Sequence, residues 1–123
     1  MSDAPATHTH HAIDYVEIAV RNLAESKAFY AAVFGWEFND YGPAYAGIKG
    51  IEREQGGLTE EPTARANGGG PLVILYSGDL DETLAAIRKA SVRVISEPYA
   101  FPGGRRFHFA DPSGNELAVW SER

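Results

Sequence analysis

Apolar and polar residues alternate along Ile13-Asp14-Tyr15-Val16-Glu17-Ile18-Ala19-Val20. Val16, Ile18 and Val20 share one face and Tyr15, Glu17 and Ala19 the other, which predicts a strand. The period then changes. Leu23, Ser26, Ala28, Phe29, Tyr30, Val33 and Phe34 recur at helical spacing and predict a helix over 23–34 with a broad buried stripe. Asn22 stands at the N-cap with Glu25 at the third helical position, as in a capping box, and Gly35 supplies the stop. Trp36-Glu37-Phe38 begins the next predicted strand, Tyr45 to Ile51 another, and Gly56-Gly57 punctuates the end.

The same order returns further along. Leu72 to Tyr76 is a short apolar run that predicts a buried strand, and Asp79 is the next cap, again with Glu at the third helical position, Glu82. Leu80, Leu84, Ala85, Ile87 and Arg88 carry a helix to about Ala90. Val92-Arg93-Val94-Ile95, Arg106 to Ala110 and Glu116 to Trp120 predict three more strands. The offset of 57 that carries Asn22 onto Asp79 also carries Leu23 onto Leu80 and Glu25 onto Glu82. Each half therefore reads strand–helix–strand–strand–strand, and the chain is an internal repeat. Residues 1–12 read as a loose polar tail, 13–60 as the first module, 61–70 as a Pro-, Thr- and Gly-rich connector, and 71–120 as the second module. A small sheet covered by one helix leaves its other face without a partner. The expected fold is α+β, with two tandem βαβββ modules forming a half-open mixed barrel around a central cleft. Such a cleft is where a ligand sits.

Composition narrows the function classes. At 123 residues the chain suits one domain, and 44% hydrophobic residues suffice for a core. There is no stretch of roughly 18 apolar residues, so no membrane span is expected, and the first residues lack the basic start and apolar run of a secretory signal. Without cysteine there is no disulfide, no thiolate nucleophile and no cysteine-ligated zinc. Seventeen acidic against eleven basic residues leave a net charge of −6, which argues against a nucleic-acid partner and fits a cytoplasmic protein.

Two runs carry a family resemblance. Tyr15 to Val20, followed by Asn22-Leu23-Ala24-Glu25-Ser26-Lys27-Ala28-Phe29-Tyr30 and Phe34-Gly35-Trp36, resembles the opening of a glyoxalase/bleomycin resistance/extradiol dioxygenase protein, the vicinal oxygen chelate superfamily. Gly104 to Leu117, an aromatic strand ending in Asp111-Pro112-Ser113-Gly114-Asn115, resembles its closing signature. The resemblance spans nearly everything from Ile13 to Trp120 and implies the glyoxalase/bleomycin resistance/dihydroxybiphenyl dioxygenase fold. The motifs themselves are structural. Asp111 accepts backbone hydrogen bonds in a turn, Pro112 fixes one dihedral and Gly114 permits a positive one.

The resemblance also implies a divalent metal held by His, Gln or Glu from the first and last strands of each module, with open positions to polarise a substrate oxygen. Carried over one at a time, the family positions fall on Tyr15, Leu72 and Ala118. The fourth lies within 51–61, near Glu52, Glu54 and Glu60. Leucine and alanine ligate nothing and neutral tyrosine replaces histidine poorly, so no metal site and no cofactor are expected. A divalent metal belongs only to the alternative reading, an isomerase, lyase or dioxygenase with displaced ligands.

The remaining candidates are cleft residues. Tyr15, Glu17, Tyr45, Tyr76, Arg106, His108 and Trp120 are the expected ligand-binding set, with Phe38, Tyr41, Tyr99 and Phe101 adding aromatic surface. Aromatic faces can stack a planar ligand while a guanidinium pins an anionic or carbonyl group. The competing reading is that aromatics fill the core and a dimer interface and that the arginines balance surface acids. His8, His10 and His11 fit a solvated tail. Glu17, Tyr15 and His108 are the only acid–base candidates, and His108 has no carboxylate partner adjacent in sequence. A small-molecule ligand and a homodimer closing the exposed sheet edges are the expected partners.

Overall fold

The computed structural model describes residues 8–60 and 70–123. The elements are β1 (Val16–Ala19), α1 (Leu23–Phe34), β2 (Phe38–Asp40), β3 (Tyr45–Lys49), β4 (Glu54–Thr59), β5 (Val73–Tyr76), α2 (Leu80–Lys89), β6 (Val94–Phe101), β7 (Gly104–Ala110) and β8 (Glu116–Ser121). They form two four-stranded mixed sheets, ordered β1-β4-β3-β2 and β5-β8-β7-β6. In each, the first strand of the module pairs in parallel with the last, and the remaining contacts are antiparallel. The sheets do not close on each other, so the βαβββ repeat yields a half-open α+β arrangement.

Local chemistry explains the helices. The Asn22 side chain accepts the Glu25 backbone N–H at 2.9 Å and Asp79 accepts that of Glu82 at 3.1 Å, so both N-caps form. The Leu23 N–H, a further orphan donor of α1, goes to the Glu60 carboxylate at 2.5 Å. Gly35, at φ 72°, closes α1 in the left-handed region. The buried stripe of α1 is Leu23, Ser26, Phe29 and Tyr30, whereas Ala28 is exposed, because 100° per residue places it opposite Phe34 and Leu23. In α2, Leu80 and Ile87 are buried, but Ala85 and Arg88 face outward, Arg88 pairing with Glu97 at 2.5 Å.

Each helix covers one sheet face, and a single hydrophobic core runs through both modules. It includes Ile18, Phe29, Tyr30, Ile48, Leu58, Leu80, Phe107, Phe109 and Val119. Trp36, expected at the start of β2, precedes that strand and stacks flat on Tyr30 at 4.4 Å. Gly56-Gly57 does not end an element. Both lie within β4, the strand held between β1 and β3, and both are buried. A Cβ at Gly56 would overlap the Val16 carbonyl oxygen, and one at Gly57 would overlap the Tyr45 hydroxyl. Close approach, rather than a turn, requires glycine there.

The Asp-Pro-Ser-Gly-Asn turn joins the modules. Asp111 Oδ1 accepts the backbone N–H of Ser113 (2.9 Å) and Asn115 (2.8 Å), while Gly114 takes φ 88°. Tyr30 of α1 donates its hydroxyl to Asp111 Oδ2 at 2.9 Å, the Ser113 hydroxyl accepts the Arg21 N–H at 2.9 Å, and Asn115 Nδ2 donates to the Ala19 carbonyl at 2.6 Å. Burial and the neighbouring Asp111 carboxylate push the Tyr30 phenol far above its usual range.

Of the tail, Thr9 to Ala12 form a turn closed by the Ala12 N–H on the Thr9 carbonyl at 3.0 Å, and His8 Nδ1 lies 2.6 Å from Asp14 across it. Residues 1–7 and 61–69, which include most of the expected connector, lie outside the described residues.

Candidate functional site

Strand alternation leaves one face of each sheet uncovered by its helix, and the expected site residues sort onto these two faces. In the first sheet the register aligns Glu17 with Gly57, Gly57 with Gly47, and Gly47 with Asn39. Side chains from this row and its neighbours make a connected polar network. Tyr45 donates to Glu17 Oε2 at 3.0 Å, the Tyr15 and Tyr45 hydroxyls lie 2.6 Å apart, and Tyr15 reaches Glu54 Oε1 at 3.2 Å. Glu54 Oε2 also accepts Asn39 Nδ2 at 3.0 Å and the Tyr41 hydroxyl. The bonds from Tyr41 and Asn39 hold the Glu54 carboxyl below its ordinary range. Desolvation raises the Tyr15 and Tyr45 phenols, with the Glu54 carboxylate adding to the effect at Tyr15 and the Glu17 carboxylate adding to it at both.

In the second sheet, Arg106 pairs with Trp120 and Tyr76 with Trp120, while His108 pairs with Ala118. His108 is not isolated: its Nδ1 lies 2.7 Å from Glu116 Oε2 and its Nε2 lies 2.9 Å from the Tyr99 hydroxyl. Arg106 Nε donates to the same hydroxyl at 2.5 Å, and its guanidinium lies 5.5 Å from the Tyr99 ring and 5.9 Å from that of Phe101. Tyr76 and Phe101 both meet Trp120 edge-on, at 5.1 and 6.1 Å. Arg105 points to the other face, 3.4 Å from Asp81. Phe38, expected near the cleft, packs against the core instead, because it pairs with Ile48 on the helix-covered face.

The seven expected ligand-binding residues thus form a group of three (Tyr15, Glu17, Tyr45) and a group of four (Tyr76, Arg106, His108, Trp120). Two concavities accompany them. One of about 490 Å³ lies at the seam of the sheets, lined by Val16, Glu17, Leu72 and Glu116 among others. Another of about 410 Å³ lies on the second sheet, lined by Ile74, Phe101, Gly103, Arg106, Trp120 and Glu122. Asn39 and Glu116 are polar groups that reading the sequence left unassigned, and Glu54, considered there only as one of three acids near the fourth metal position, joins the tyrosine network instead. Period two along β8 puts Glu116 on the face of Ala118, and hence beside His108. No such signal marks Glu54, which follows a register shift between Ile48 and Lys49.

Residues 12–119 match the family model of the Glyoxalase/Bleomycin resistance protein/Dioxygenase superfamily. The chain belongs to that superfamily. Its fold recurs in an Agrobacterium tumefaciens protein solved by NMR (26% identity, TM-score 0.76, covering 93% of this chain and 98% of the other). It recurs in the antibiotic-binding protein TnmS3 from Streptomyces sp. CB03234 (22%, 0.70, 93% and 98%) and in lactoylglutathione lyase from Agrobacterium tumefaciens (22%, 0.67, 90% and 93%). No curated protein matches the chain.

Membership in the superfamily allows its metal positions to be located by register. The offset of 57 carries Tyr15 onto Leu72 and Glu17 onto Ile74. Ile74 pairs with Ala118, and Glu17 pairs with Gly57, so Gly57 is the first-module counterpart of Ala118. Tyr15, Gly57, Leu72 and Ala118 do not fit a divalent metal: one neutral phenol stands with three residues that have no side-chain donor. The room a ligating side chain would need at position 57 is filled by the Tyr45 hydroxyl. Glu54 belongs to the tyrosine network, Glu60 caps α1 and Glu52 is exposed. Among the described residues, no three His, Asp or Glu side chains gather as a metal site.

Proposed function

We propose that this superfamily member binds a small organic molecule on its uncovered sheet faces without a divalent metal. The observation that carries the reading is the filling of position 57 by the Tyr45 hydroxyl, together with donor-free residues at positions 72 and 118. What remains on those faces suits recognition. Aromatic rings offer stacking area, and a few hydrogen-bonded polar groups fix orientation. An antibiotic-binding neighbour of the same fold is consistent with this use.

A second copy of the chain is proposed to complete the cleft. Leu72, Ile74 and Tyr76 are 37%, 44% and 57% exposed on and beside β5, a row of apolar side chains along an edge strand that a second copy would cover. Among the described residues, no helix is long and apolar enough to cross a membrane. A cytoplasmic location is part of the same proposal.

The test is elemental analysis of tag-free protein dialysed against nickel, zinc, manganese and iron(II), followed by a thermal-shift screen of small organic molecules. The expected results are metal well below one ion per chain and stabilisation by at least one metal-free compound. Stoichiometric metal that disappears in Tyr15→Phe or Glu54→Gln would overturn the proposal. It would favour the alternative, an isomerase, lyase or dioxygenase with displaced ligands.

A further inference from the structure

The concavity of about 410 Å³ on the second sheet combines an aromatic shelf with one fixed cation. Its floor is Trp120 and Phe101 with Ile74 beside them, and Arg106 stands at its edge. What fixes Arg106 is a chain of side chains. A guanidinium only donates, so Arg106 Nε must give its hydrogen to the Tyr99 oxygen. The Tyr99 hydroxyl in turn lies 2.9 Å from His108 Nε2, and His108 Nδ1 lies 2.7 Å from Glu116 Oε2, so both ring nitrogens are engaged. His108 at the middle of the chain is mostly buried, its side chain 12% exposed, while Glu116 and Tyr99 on either side of it reach solvent. The guanidinium also lies over the rings of Tyr99 and Phe101, 5.5 and 5.9 Å from their centroids, and these cation–π contacts add to its hold. The result is an arginine fixed through Nε, with no partner among the described residues for its two terminal nitrogens.

From this arrangement we infer that the second-sheet concavity is a binding site for an aromatic carboxylate, its ring on Trp120 and Phe101 and its carboxylate on the Arg106 fork. Two parallel donors match the two oxygens of a carboxylate, and preorganisation removes the entropy a free arginine would lose. Glu122 lines the opposite part of the concavity, where it accepts the Tyr76 hydroxyl at 3.0 Å. Its charge repels a carboxylate there and so selects the orientation toward Arg106. This inference rests on the proposed binding role and names the ligand class for one of its two faces.

The experiment compares 2-naphthoate with its neutral counterpart 2-naphthalenemethanol on the full chain, by calorimetry and by the indole N–H signals of the two tryptophans. The acid is expected to bind about ten-fold more tightly than the alcohol, the scale of one charge-assisted bidentate contact. It should shift the Trp120 indole signal and leave that of Trp36, which stacks in the core, unmoved. In Arg106→Gln the preference for the acid should disappear. Tyr99→Phe, which frees Nε but leaves the charge, should weaken the acid several-fold and the alcohol not at all. Circular dichroism checks that both variants fold, and Tyr99→Phe keeps the test open if Arg106→Gln does not. Equal affinity for acid and alcohol, an unchanged preference in Arg106→Gln, or a shift at Trp36 alone would overturn the inference. If neither probe binds while other compounds of the screen stabilise the protein, this inference fails and the general binding role stands.

Discussion

Replacing Tyr30 by Phe removes one hydroxyl and little else. The ring keeps its stack on Trp36 and its edge contact with Phe29 at 4.9 Å, so the core loses no volume of consequence. What goes is the 2.9 Å bond from α1 to Asp111, which ties the first module to the turn of the second. A hydrogen bond to a charged group contributes about 1.5–3 kcal/mol. Asp111 keeps three other donors, Ser113 N, Asn115 N and Asn115 Nδ2, so the carboxylate is not orphaned. A cost of about 2 kcal/mol follows, or about 1 M in urea midpoint for a slope near 2 kcal/mol per molar. The pH dependence supplies a second signature. The Tyr30 phenol is raised above its ordinary value by burial and by Asp111. Its proton is therefore held in the folded chain and lost from the unfolded one above about pH 10, so the contribution of Tyr30 is complete below that pH and declines above it. Wild type should lose about 1.4 kcal/mol per pH unit through this residue from about pH 10 upward, and Tyr30→Phe should not. Urea titrations of both chains at pH 7, 10 and 11 measure this. A difference between the two chains that stays constant from pH 7 to 11, or that is below about 0.5 kcal/mol at pH 7, would refute the reasoning.

The two adjacent glycines of β4 should respond differently to alanine. Gly57→Ala displaces the end of a tyrosine side chain and should cost about 1–3 kcal/mol, whereas Gly56→Ala meets the Val16 backbone and should cost more, as chemical denaturation would show. Ser26 is buried in α1 with its hydroxyl unpartnered, so Ser26→Ala should stabilise by about 1 kcal/mol, and a lower melting temperature would contradict this. Asn22→Ala should cost about 1 kcal/mol through the lost N-cap, read from the urea midpoint. Asn39→Ala should raise the titration midpoint of the Glu54 carboxyl toward its ordinary value, seen by carbon NMR. The folded value being depressed, Glu54 stabilises above the ordinary carboxylate range and loses that effect as pH falls, so Asn39→Ala should flatten the acid limb.

The order of elements was legible because period and caps agreed twice at one offset. Asn22 and Asp79 do cap their helices, and the face on which Glu17 lies could be read from alternation alone. The boundaries of β2 and the role of Gly56-Gly57 were not legible. A glycine pair marks a turn or a close approach equally well, and only the packing of Val16 and Tyr45 against β4 decides between them. For the site, alternation correctly placed His108 opposite the core residues Phe107 and Phe109. Its partners Glu116 and Tyr99 come from two other strands, and such pairing depends on register, including the two shifts within β6. Glu54 was legible only as one of three acids in its segment, and its place in the tyrosine network depends on the register shift between β3 and β4.

The tyrosine at position 45 also bears on how this chain can change. An acidic residue arriving at position 57 would strike the Tyr45 hydroxyl before it could bind anything. A smaller residue at position 45 would open the space but forfeit the bonds to Glu17 and Tyr15. Either first step carries a loss and brings no ligand closer to completion, since Leu72 and Ala118 would still need replacing. The packed phenol thus acts as a ratchet, in that no single substitution at position 45 or 57 converts this arrangement into a metal site.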